Sequence, residues 1–118
     1  MQECLFQPSL FDIDGIGVHE MVLNSISECE PDIQNDMYSN IVVSGGSSMF
    51  EGFVERLKKE IAPLVPSGKF TVVAPQFRQF STWTGGSILG CLSFFQNMWV
   101  TKDEYDEYGP EIVHHLCL

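Results

Sequence analysis

Asn40-Ile41-Val42-Val43-Ser44-Gly45-Gly46-Ser47-Ser48-Met49-Phe50 reads as a buried strand that runs into a tight turn and then a helix. The three consecutive β-branched residues suit the pleated, packed surface of a strand, and the glycine pair closes it. Ser48-Met49-Phe50-Glu51 has the spacing of a capping box, in which a hydroxyl and a carboxylate satisfy free N–H groups at a helix start. The helix that follows buries Phe53, Val54, Leu57 and Ile61, and Pro63 and Pro66 close it. Residues 70–74, with Val72 and Val73, form a second strand stopped by Pro75. Strand, helix and strand at this length make one βαβ unit of an α/β fold, with two strands too few to hide their own edges.

Reading outward towards the N-terminus, Val18, Met21, Val22, Ser25, Ile26 and Cys29 recur at helical spacing ahead of Pro31, and residues 32–38 add one or two further turns. Residues 5–17 form a loop that is apolar for a loop, with Leu5, Phe6, Leu10, Phe11 and Ile13, and so is expected to dock onto something. Towards the C-terminus, residues 81–95 carry Thr84, Ile88, Cys91, Leu92 and Phe95 on one side of a helix. Gly85 and Gly86 inside it each cost about 1 kcal/mol relative to alanine, which implies close approach by a neighbouring backbone. Residues 99–108 and 112–117 read as two short terminal helices separated by Gly109-Pro110.

The chain has 118 residues and a formal net charge of −10, with six Lys plus Arg against sixteen Asp plus Glu. That balance argues against binding to nucleic acid, which depends on cations that neutralise phosphates, and against anionic membrane surfaces. Glu3, Asp12, Asp14, Glu20, Glu28, Glu30, Asp32 and Asp36 all lie in the first third, and no basic residue occurs before Arg56. At 44% hydrophobic, the composition can build a core. Cys4, Cys29, Cys91 and Cys117 form no CxxC pair, so reduced thiols are expected. No leader-like segment opens the chain and no apolar run spans a bilayer, which sets the expectation of a soluble intracellular protein.

Few chemical motifs survive scrutiny. A calcium loop starting at Asp12 fails because Ile16 and Leu23 fall on ligand positions. His19, His114 and His115 lack partners at an interpretable spacing, and no nucleophile elbow surrounds Ser44, Ser47, Ser48 or Ser81. The glycine turn would let a nucleotide approach backbone at a helix N-terminus. It has neither the lysine of a P-loop nor a dinucleotide fingerprint, and by itself it reads as an ordinary βα turn.

The segment Asn40 through Phe50 resembles the adenosine-binding segment of actin and actin-related proteins. Leu5-Phe6-Gln7-Pro8-Ser9, the WTGGSIL run from Trp83, Phe95-Gln96-Asn97-Met98-Trp99, Glu104-Tyr105-Asp106-Glu107 and Ile112-Val113-His114 also resemble the C-terminal third of an actin, in order. The resemblance implies the C-terminal portion of the actin-like ATPase (ribonuclease H-like) fold, with residues 1–80 like subdomain 3 and the tail end of subdomain 4, and residues 81–118 like the C-terminal helices of subdomain 1. It implies ATP or ADP, with magnesium in the complete family fold, held by Gly45, Gly46, Ser47, Met49, Phe50 and Gln79. Phe50 stands where actins have Tyr, and Gln79 where they have Lys. Thr84, Ile88, Leu89, Leu92, Phe94 and Met98 would form the helix wall of a cleft for amphipathic helices of actin-binding proteins. Residues 8–17 would form an apolar plug loop used in filament contacts. No catalytic residue or metal ligand carries over, because the family's phosphate loops and metal-facing acids lie in segments these residues do not resemble. The implied role is that of a cytoplasmic, cytoskeletal, ATP-binding and filament-forming protein or a fragment of one, with actin-like subunits and actin-binding proteins as partners. The alternative is a truncated, non-enzymatic module that binds actin or its partners.

Overall fold

A computed structural model describes residues 2–116. Helices α1 (Val18–Ser27) and α2 (Pro31–Ser39) precede strand β1 (Ile41–Val42), and helix α3 (Phe53–Ile61) leads to strand β2 (Val72–Val73). Helices α4 (Ser81–Cys91), α5 (Lys102–Tyr108) and α6 (Val113–Leu116) follow. The chain divides into two compact units, one ending at Ser81 and the other beginning at Thr82.

The first unit is built on β1 and β2, which pair in parallel with Ile41 opposite Val72 and Val42 opposite Val73. A parallel pair needs a crossover, and α3 supplies it. Both strands are shorter than the β-branched runs suggest, but the Ile41 N–H donates to the Thr71 carbonyl at 3.1 Å and the Val43 N–H to the Val73 carbonyl at 2.9 Å. Pro75 has no N–H with which to continue the ladder. Ile41, Val43 and Val72 face inward onto Phe53, Leu57 and Ile61, which recur every four residues along α3. Ile61 is the most deeply buried, with 0% exposure, and its burial stabilises the unit by about 1.5–3 kcal/mol. Phe6, Ile26, Tyr38 and Val65 complete this core. Pro31 opens α2 at its first position, where no N–H is needed.

A charged cluster ties the N-terminal turn to α3. Arg56 Nη2 donates to Glu3 Oε1 at 2.8 Å and Arg56 Nε to Glu60 Oε1 at 2.6 Å, with the guanidinium 5.3 Å from the Phe6 ring centroid. The hydrogen bond to Glu60, and then that to Glu3, push the Arg56 pKa up. His19 is a packing histidine, buried and stacked on Phe6.

Three expectations need correction. The capping box at Ser48 and Glu51 does not form: residues Gly46–Met49 make a 3-10 turn, α3 starts later at Phe53 behind Gly52, and the Ser48 hydroxyl donates to the Gly45 carbonyl at 2.7 Å. The capping box is instead at the start of α5, where Thr101 N–H donates to Glu104 Oε2 at 2.9 Å and Glu104 N–H to Thr101 Oγ1 at 3.3 Å. The Thr101 N–H first, and then the Thr101 hydroxyl, which donates to the same Oε2 at 2.7 Å, hold the Glu104 carboxyl below its usual range. The helix expected over residues 81–95 ends at Cys91, since Leu92 is extended and a 3-10 turn, Ser93–Met98, follows. A Cβ added at Gly85 or Gly86 would meet nothing within 4 Å, so among the described residues no neighbour makes the close approach those glycines suggested. In the second unit, Phe95 and Trp99 meet edge to face at 6.0 Å and Ile112 is buried. The last expected helix is seen as α6, and Cys117, assigned to it, lies outside the described residues.

Gly17 is where glycine is required by contact: a Cβ there would strike the Phe6 carbonyl oxygen and the His19 ring. Gly17→Ala is therefore expected to lower stability by about 1–3 kcal/mol in urea unfolding, whereas Gly46→Ala, into open space, should stay within about 0.5 kcal/mol of the parent. Equal losses for the two would contradict this packing.

Candidate functional site

Two 3-10 turns, Gly46–Met49 after β1 and Arg78–Phe80 after β2, pack against each other. The first begins from Gly45, whose φ of 93° belongs to the region that favours glycine. The Gly45 N–H donates to the Arg78 carbonyl at 2.9 Å. In return, Arg78 Nε donates to Ser48 Oγ at 3.0 Å and Arg78 Nη2 to the Ser48 carbonyl at 2.6 Å. Ser48 is buried and also donates to the Gly45 carbonyl. Arg78 Nη1 reaches the Pro75 carbonyl at 3.3 Å. One arginine thus locks both turns, as a planar guanidinium with several fixed donors can.

Arg78 was missed from sequence. Its partner Ser48 lies thirty positions away, and no local spacing rule reaches that far. The only available signal was its place beside Gln79 in a chain with few cations.

Ser47 is divided from Met49 and Phe50 between two cavities. Met49 and Phe50 are exposed and line a polar cavity of about 380 Å³ with Glu51, Glu55, Lys58 and Arg78. Ser47 lines a different, apolar cavity of about 350 Å³ beside β1. Gly45 and Gly46 line neither of these cavities. Gln79 sits half-buried on the facing turn, and its Oε1 is buried without a hydrogen-bond partner.

These features fit the nucleoside half of ATP or ADP. The orphaned Gln79 carbonyl could accept from an exocyclic amine, the exposed Phe50 ring offers a stacking face, and the space in front of Gly46 is open. They do not fit the phosphates and magnesium. Arg78 is committed to protein acceptors, α3 begins too late to aim its N-terminus from the glycine turn, and the described residues hold no group of three or more metal-ligating side chains.

The expected partner-cleft residues lie in the second unit. Thr84, Ile88 and Leu89 are on α4, Leu92 is at its end, and Phe94 and Met98 are on the 3-10 turn beyond it. All six are exposed. Because the helix breaks at Leu92, the last two do not extend its stripe as a single helical wall would require. Cys29 and Cys91 are free thiols, and no helix among the described residues is long and apolar enough to cross a membrane.

In a comparison with protein-family models, the model described as Actin matches residues 1–118.

Proposed function

This chain belongs to the actin family, and from that premise we propose that it forms the adenosine-facing wall of a nucleotide site in an actin-like cytoskeletal protein. In this reading the first unit belongs to a ribonuclease H-like fold, with residues 1–80 in the place of subdomain 3 and residues 81–118 in that of the subdomain 1 C-terminal helices. Gly45, Gly46, Ser47, Met49 and Phe50 frame the adenosine, and Gln79 accepts from the adenine amine. The observation that carries the reading is the buried, unpartnered Gln79 carbonyl on a turn locked to the glycine turn, since such a group is costly unless something pairs with it. The proposed setting is cytoplasmic and filament-forming, with actin-like subunits as neighbours. The assignment extends to binding and not to hydrolysis, because no described residue is assigned the activation of water.

Titration of the chain with a fluorescent ATP analogue in magnesium buffer should saturate below about 1 mM, a binding free energy of roughly −4 kcal/mol. Gln79→Ala should weaken it about tenfold, and an inosine analogue without the amine should bind the parent and Gln79→Ala alike. Absence of saturation at millimolar nucleotide would overturn the reading.

The exposed apolar side chains of the second unit favour a second reading, in which the chain is a non-enzymatic module for actin or its partners. Ile88, Leu89, Leu92, Phe94 and Met98 are all at least 40% exposed, which is unusual without a partner. Co-sedimentation with preformed actin filaments should carry the chain into the pellet, and Ile88→Asp should return it to the supernatant. A parent chain that stays in the supernatant would sink this reading.

A further inference from the structure

A short 3-10 turn has few and poorly aligned hydrogen bonds of its own, so a side chain on it is aimed well only if other groups fix the peptides around it. Both turns of the candidate site are of this kind: Gly46–Met49 leads into Phe50, and Arg78–Phe80 carries Gln79. The peptide that joins Arg78 to Gln79 is pinned through its carbonyl, which accepts from the Gly45 N–H at 2.9 Å and from the Ser81 N–H. The peptide that joins Ser48 to Met49 is pinned through its carbonyl as well, by Arg78 Nη2 at 2.6 Å. Each turn is held at the peptide next to a residue proposed to frame adenosine, and Arg78 takes part on both sides.

The guanidinium spends each nitrogen on a different, uncharged oxygen: Nε on Ser48 Oγ, Nη1 on the Pro75 carbonyl and Nη2 on the Ser48 carbonyl. Ser48 Oγ donates onward to the Gly45 carbonyl, and the Gly45 N–H returns to the Arg78 carbonyl. The contacts close a ring through Arg78, Ser48 and Gly45, none of which is exposed. A lysine, with one nitrogen, cannot reproduce that fork. Gln79 Oε1, by contrast, is buried with no hydrogen bond to orient it, so its aim depends on the backbone that the ring fixes.

We infer that Arg78 is a positioning residue for base recognition: through this ring it sets the Gln79 carbonyl against the glycine turn and so fixes a preference for purines that carry a 6-amino group. The inference rests on the adenosine reading above and adds what selects the base. A hydrogen bond to the amine weakens steeply as its angle departs from linear, whereas stacking on the Phe50 ring tolerates sliding. A loosened turn therefore loses discrimination between bases before it loses affinity for the ring.

The test is competition of ATP, and of purine riboside triphosphate, which lacks the amine, against a fluorescent ATP analogue on the full chain. The parent should prefer ATP about tenfold, and Gln79→Ala should abolish the preference. Arg78→Lys keeps the charge and should lower the preference to within about twofold. Added to Gln79→Ala it should change the preference no further, because the two residues act through one contact. A merely structural role would weaken both ligands equally and keep the preference near tenfold, which would overturn the inference and leave the adenosine reading standing. A parent without preference would overturn the adenine contact and the inference with it. If Arg78→Lys shows no thermal transition, Ser48→Ala decides, since it removes the hydroxyl between Arg78 and Gly45. Its preference should fall about threefold or more, and an unchanged preference would overturn the inference.

Discussion

The parallel pairing of Ile41–Val42 with Val72–Val73 is the constraint on which the rest of the first unit depends. Strands that run the same way cannot be joined by a hairpin, so the chain must climb back along α3 before β2 can start. That return makes α3 lie over the sheet and puts Ile61 at the best-covered point of the core. It also brings the two strand ends to the same side, because parallel strands finish together. The glycine turn and the Arg78–Phe80 turn are therefore neighbours by topology, and Arg78 converts that neighbourhood into a lock through Ser48. Loops at the carboxyl ends of parallel strands are where α/β folds place their ligands.

The two-strand sheet leaves costs that the described residues do not settle among themselves. Val42 and Val73 are apolar and exposed on the face away from the core, and β1 keeps one open edge. The apolar loop residues Leu10, Phe11, Ile13 and Ile16 are also exposed, as are the hydrophobic side chains of α4. The 44% hydrophobic content thus does not all go into a core. The exposed portion is left uncovered by the described residues.

Much of the fold was legible where one local pattern had one solution. The β-branched run at Ile41, Val42 and Val43 and the four-residue spacing of Phe53, Leu57 and Ile61 each pointed to the element that forms. The Ser48–Glu51 box failed because a serine hydroxyl after a strand has more than one use, and its choice of the Gly45 carbonyl and Arg78 is decided by a residue thirty positions on. The Thr101–Glu104 box was readable from the same spacing rule and went unrecognised. Gly85 and Gly86 carry a helical cost that suggests a close neighbour, and among the described residues both meet open space. Of the candidate site, the glycine turn was visible as a shape, and only family resemblance attached adenosine to it. Neither route could expose the unpaired Gln79 carbonyl, which depends on how two distant turns pack.

Amide hydrogen exchange of the intact chain tests most directly whether the βαβ unit holds the glycine turn rigid. The amides of Ile41, Val43 and Gly45, all donors to the β2 segment or the turn after it, should exchange slowly together with those of α3, whereas Gly46 and Ser47 exchange fast. Arg78→Met should release Gly45 while Ile41 and Val43 stay protected. Exchange of Gly45 as fast as Gly46 in the parent chain, or no change at Gly45 in Arg78→Met, would contradict the account.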